Sequence, residues 1–203
     1  MINVNAIQGH VSGILKEGLS PLLTYHNLDH TIDVTAQCMD IAKVEGITDE
    51  DSLLELHIAC IYHDAGFIEV YKGHEEIGCK MATEQLPGFG VNNTMIENIC
   101  AIIMATKMPQ KPQNILQQII CDADLDYLGR DDFFTISDSL CKEVLAYKIV
   151  SSKEEWEERQ VYFLQSHTYF TQSSKKKRGP VILLHIKKIL ENNKKNPTAH
   201  FNL

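Results

Sequence analysis

Residues 60–67 read CIYHDAGF: an apolar run with the pattern of a buried helix, ending in an adjacent histidine and aspartate and then a glycine. Two ionisable groups stand where a core should be closing. A buried carboxylate without a partner costs on the order of several kcal/mol even after its surroundings relax. His63 and Asp64 therefore need partners, and those partners bear on what the chain does.

The helical pattern extends in both directions. Apolar residues recur at spacings of three and four along nearly the whole chain, and clean alternation is rare. A first helix is expected over residues 4–17, with Val4, Ile7, Val11 and Ile14 on one face, ending at Gly18, Ser20 and Pro21. A second runs over 29–45 and stops at Gly46. Thr48 with Asp51 resembles a capping box for a third, which carries LLELHIACIYHD and ends at Gly66. HEEIGCKMATEQL gives a fourth, closed by Pro87 and Gly88, and residues 93–107 a fifth, before Pro109 and Pro112. A sixth carries NILQQIICDADLDYLG as far as Gly129. Helical patterns over 131–149, 153–172 and 180–192 complete the chain, with SSKKKRG (173–179) and the tail NNKKNPTAHFNL read as flexible. The expectation is an all-α helical bundle of one domain over residues 1–203, its motif-bearing core at 25–130 and further helices at 131–195.

Composition narrows the function. With 203 residues and a net charge of −8, the chain lacks the basic face that a nucleic-acid polymer demands. No apolar run approaches the roughly eighteen residues of a membrane helix, and the first residues lack the basic start and apolar centre of a signal peptide. The six cysteines lie far apart and never as C-x-x-C, so free thiols in a reducing compartment are expected, the cytoplasm by preference. There is no Walker loop, G-x-G-x-x-G or G-x-S-x-G.

Placing the unusual residues on their helices shows a pattern. His30 lines up with Val34, Cys38 and Ile41; His63 follows Leu56 and Ala59; Asp64 follows Cys60 and Ile61. His74 precedes Ile77, Gly78 and Met81, and Asp124 follows Leu116 and Ile120. Each has a plain alternative: a hydrogen-bonded core histidine, a carboxylate at a helix end, one of three solvated acids in CDADLD. Together they place histidines and aspartates on inward stripes that hold no lysine or arginine. Two imidazoles and two carboxylates around one divalent cation would satisfy all four, and such a mixed set suits Mn, Fe, Co, Ni, Mg or Zn.

The order His30, then His63-Asp64, then Asp124 in an A-D-L context resembles the HD-domain superfamily of metal-dependent phosphohydrolases. That resemblance covers about residues 25–130 and implies that His30, His63, Asp64 and Asp124 are the metal ligands. GHEEIGCKMA is similar to a family helix whose histidine, here His74, holds a second metal or a substrate phosphate. YHNLDHT, residues 25–31, is similar to the signature of class I cyclic-nucleotide phosphodiesterases, which makes His26 the general acid. Two-metal members carry a further histidine near the pattern ICAIIMATKM. This chain has Thr106 and Lys107 there, so one ion per chain is expected, a second site is in doubt, and Lys107 is left as a candidate for a substrate phosphate.

The function implied is hydrolysis of a phosphate ester or phosphodiester of a small molecule, a nucleotide by preference, with Asp64 orienting a metal-activated water and His26 protonating the leaving oxygen. Lys72, Lys111 and Arg130 are further candidates for substrate charge, His167 and Trp156 are expected to be structural, and the basic run 175–178 to be solvated. A non-catalytic ligand-binding adaptor is the first alternative and an HD-fold di-iron oxygenase the second.

Overall fold

A computed structural model describes residues 2–195. Among these residues there are nine α-helices and no strand: α1 Val4–Gly18, α2 Leu28–Val44, α3 Glu50–Tyr62, α4 His74–Gln85, α5 Asn93–Ala105, α6 Ile115–Asp124, α7 Phe133–Ala146, α8 Lys153–Ser166 and α9 Gln172–Lys195. Short polar side chains start most of them. Asn3, Asn27, Asn92, Asn114 and Ser152 each accept a backbone N–H of the first turn that has no partner within its helix. The start of α3 differs from the expected capping box: Asp49 is the cap, accepting the N–H of Ser52. A carboxylate there also meets the positive end of the helix dipole.

The first six helices share one apolar core. α2 packs on α3 and α6, α5 on α3, α4 and α6, and α1 lies across α3. Ile7, Val11, Leu56, Ile99, Ile103 and Ile119 are fully buried at its centre. A second cluster gathers Tyr127, Leu128, Phe133, Leu164, Tyr169 and Ile182 from the 3-10 turn Asp126–Gly129, α7, α8, the segment after it and α9. The six cysteines are all free thiols, as expected.

Two helices end where the site begins. α3 stops at Tyr62, so His63 and Asp64 leave the helix before the 3-10 turn Ala65–Ile68. α6 ends at Asp124 instead of continuing to Gly129.

The C-terminal region departs further from expectation. α8 ends at Ser166, and the basic stretch 173–179 forms the first turns of α9. The reason is tertiary. Buried Asp122 accepts the N–H groups of Phe170 and Thr171 and the Thr171 hydroxyl, which fixes the chain just before α9. Arg178 then makes two bonds of 2.8 Å to buried Asp126. The tail from residue 192 was expected to be flexible; its first four residues instead end α9, and those beyond 195 lie outside the described residues.

Glycine sets the approach of α4. A Cβ on Gly78 would stand 2.5 Å from the Tyr62 carbonyl oxygen, and one on Gly66 2.0 Å from that of His74. Backbone therefore touches backbone between the end of α3 and the start of α4, and this carries His74 to Asp64. Gly78→Ala should force the two apart and destabilise the fold by about 1–3 kcal/mol, the usual cost of overpacking. Chemical denaturation checks this; unchanged stability would show that α4 has room to shift.

Candidate metal centre

Three helices bring the candidate ligands to one point. His30 comes from the first turn of α2, His63 and Asp64 from the end of α3, and Asp124 from the last residue of α6. One donor atom each from His30, His63 and Asp124 lies within 4.8 Å of the other two. His30 Nε2 stands 3.4 Å from Asp64 Oδ2 and 3.3 Å from Asp124 Oδ1. His63 Nε2 stands 3.3 Å and 3.7 Å from the same two atoms. Asp64 falls outside the mutually close set of three, although it meets both imidazoles.

These separations are long for hydrogen bonds between buried groups. His30 Nε2, His63 Nε2 and Asp64 Oδ2 are in fact buried without any hydrogen-bond partner. Among the described residues only histidines meet Asp64 and Asp124; no lysine or arginine pairs with either. Two donors about 2.1–2.3 Å from a shared ion, in adjacent positions, stand about 3.0–3.3 Å apart. A divalent cation fits this set and satisfies all three orphaned atoms. His63 Nδ1 donates to the Cys60 carbonyl at 2.8 Å, which leaves Nε2 with its lone pair facing the centre.

Burial and charge oppose one another here. Burial pulls the His63 pKa down, but the negative charge of Asp64, 3.3 Å away, with that of Asp124 beyond, outweighs it and lifts the imidazole to about 9. Burial likewise pushes Asp64 up, and His63 more than reverses this, holding the carboxyl well below the usual range. Without a cation, a protonated histidine neutralises the site.

His26 stands beside the ligands, stacked on Phe67 with ring centroids 4.3 Å apart. Its Nδ1 bonds Oε1 of Glu143, whose side chain is wholly buried on α7. Glu143 also accepts the N–H groups of Tyr25 and His26 and the Tyr71 hydroxyl. Burial lowers the His26 pKa, but the Glu143 hydrogen bond and the nearby carboxylates leave it raised overall. Glu143 escaped the sequence reading because CKEVLA looks like any amphipathic helix; its partners lie 117 and 118 residues away.

His74 faces the same cluster, its Nε2 3.4 Å from Asp64 Oδ1 and 3.6 Å from Oε1 of Glu75. Glu75 is buried, which a pair of acids in a first helical turn does not foretell. Thr106, at the position where the resemblance led one to look for an imidazole, is buried and donates its hydroxyl to the Ile103 carbonyl. Lys107 stands apart, exposed and paired with Glu76. Arg130 grips Asp33 and Asp132 and lines a separate cleft of about 270 Å³ that reaches His30 and Asp124. The main cavity, about 590 Å³, opens on His26, Asp64, His74 and Asp124 and is walled on its other side by α7 and α8. Arg159 and Trp156 of α8 line it; Lys72, Lys107 and Lys111 do not.

The HD-domain family model matches residues 27–126. Among solved structures, the chain is similar to the crystal structure of a predicted HD superfamily hydrolase from an uncultured Thermotogales bacterium. The two share 18% identity with a TM-score of 0.59, over 94% of this chain and 99% of the other, a likeness of fold. None of the curated proteins matches the sequence.

His63 must lose its proton to act as a ligand, and in the metal-free protein it holds that proton up to about pH 9. The apparent affinity for Mn²⁺ should therefore rise about tenfold per pH unit between about pH 6 and 8, with about one proton released per ion bound. Calorimetry in buffers of different ionisation enthalpy reads both, and a pH-independent affinity would contradict the assignment of His63.

Proposed function

Since residues 27–126 form an HD domain, we propose that the chain is a metal-dependent phosphohydrolase acting on a phosphate ester or phosphodiester of a small molecule. One observation carries the proposal: three buried ligand atoms, His30 Nε2, His63 Nε2 and Asp64 Oδ2, lack any other partner and face one centre. The retained ligand set weighs against a non-catalytic adaptor, and Thr106 in place of an imidazole weighs against a di-iron oxygenase.

When bound, a divalent ion supplies Lewis acidity that neutralises phosphoryl charge and makes a water more acidic. His30, His63, Asp64 and Asp124 would hold it. Asp64 turns Oδ2 toward the ligand imidazoles and Oδ1 toward His74, so Oδ1 can accept a hydrogen bond from an attacking water. His26 has Nδ1 fixed on Glu143, which leaves Nε2 to give its proton to the departing oxygen. The Glu143 hydrogen bond raises the His26 pKa against burial, which favours the protonated ring that a general acid needs. His74 donates Nδ1–H to the Tyr71 carbonyl at 3.2 Å, which leaves Nε2 with its lone pair beside Asp64, where it can accept from a water or help to hold a second ion. Phe67 stacks on both His26 and His74 and keeps their faces dry.

The test is hydrolysis of a panel of phosphate esters and diesters by protein stripped of metal and then reloaded with Mn²⁺, Mg²⁺, Co²⁺ or Zn²⁺. Activity should vanish on stripping and return with at least one ion; its failure to return with any of them would overturn the proposal. His26→Ala should lower kcat by about 10²–10⁴-fold on esters with poor leaving groups. Glu143→Gln removes the largest of the contributions that raise the His26 pKa, and only Asp64 and Asp124 then oppose burial. The alkaline limb of kcat/KM, where His26 loses its proton, should then move to lower pH; an unmoved limb would separate Glu143 from the acid.

A further inference from the structure

The cavity beside the centre is built from two unlike halves. The half made by α2 to α6 carries His26, Asp64, His74, Glu75 and Asp124. The other is Met108, Leu125, Leu128, Leu140, Trp156 and Phe163, drawn from α7, α8 and the segments flanking α6. Glu158, Arg159, Gln160 and Tyr162 of α8 border this apolar wall, and two of these four are already engaged. The Gln160 amide donates to Ser137, Arg159 pairs with Glu155 at 2.6 Å, and the Thr106 hydroxyl is held by the Ile103 carbonyl. A sugar would bring several hydroxyls into this half, and each left without a partner costs free energy that water would have supplied. A nucleoside, the class implied by resemblance, adds a base edge with the same demand. An apolar group meets no such penalty and gains from leaving water.

We infer that this wall is the seat of the leaving group, and that the substrate is the phosphate ester of an apolar alcohol, aryl or alkyl, packed against Trp156 and Phe163. The inference rests on the hydrolytic reading for its chemistry, but not for the binding. Trp156 is the one tryptophan of the chain, so its fluorescence reports directly on the seat.

The experiment titrates metal-loaded full-length protein with methyl-, phenyl- and octylphosphonate and with AMP, following tryptophan emission. In parallel, methyl, phenyl and octyl phosphates and AMP are assayed as substrates. Octyl- or phenylphosphonate should bind at least about tenfold tighter than methylphosphonate and shift the emission, as expected for burying an apolar group. Which of the two binds tighter tells aryl from alkyl. Phe163→Ala, which keeps the reporter, should weaken the favoured phosphonate at least about fivefold and raise KM for its ester more than KM for methyl phosphate. Equal affinity across the three phosphonates, or kcat/KM for AMP above that for both apolar esters, would overturn the inference. Tight phosphonate binding with an emission shift but no turnover of any ester would leave the seat standing and sink the hydrolase reading instead.

Discussion

The structure depends on one constraint: Asp64 and Asp124 are drawn into a region where, among the described residues, no lysine or arginine reaches them. Buried carboxylates demand positive charge, and histidine is the residue supplied. A proton on His63 meets the demand in the metal-free protein; a divalent ion meets it better, because it also satisfies Nε2 of His30 and of His63. The helix ends follow from the same constraint. α3 stops at Tyr62, where His63 and Asp64 turn inward to the centre, and α6 ends on Asp124, which faces it as the last helical residue.

Around this core of charge, close backbone packing does the positioning. Gly66 and Gly78 let α4 touch the end of α3, and His74 and buried Glu75 arrive beside Asp64 as a result. From the other side α7 contributes Glu143, whose four accepted hydrogen bonds hold the Tyr25-His26 backbone, the His26 ring and Tyr71 together. A buried carboxylate so fully bonded is held below its usual pKa: burial opposes this, and the His26 and backbone hydrogen bonds prevail. The residues expected to touch a reacting phosphate are thus fixed from two directions by groups that do not touch it.

Much of this was legible in the sequence, and the boundary has a physical cause. The helices with apolar periodicity and a local cap, α1, α2 and α5, were readable because both signals lie within a few residues. His30, His63, Asp64 and Asp124 were readable because a polar residue on an apolar stripe is anomalous wherever it occurs. Glu143 and Glu75 were not, since an acid in an amphipathic helix looks solvated until its distant partner is known. The first turns of α9 were misread for the same reason: a run of lysines looks solvated, yet Arg178 at its end is anchored to Asp126, 52 residues away. Trp156 was taken for packing and instead lines the cavity, because nothing local distinguishes a half-buried tryptophan on a wall from one in a core.

The central claim is that these histidines and aspartates share one ion. Anomalous diffraction from crystals soaked in Mn²⁺, collected at the manganese edge, tests it most directly. The account predicts a single strong peak about 2.0–2.4 Å from His30 Nε2, His63 Nε2, Asp64 Oδ2 and Asp124 Oδ1. A site without a peak at saturating Mn²⁺, with His63 still paired to Asp64, would show that the buried charges answer only to each other.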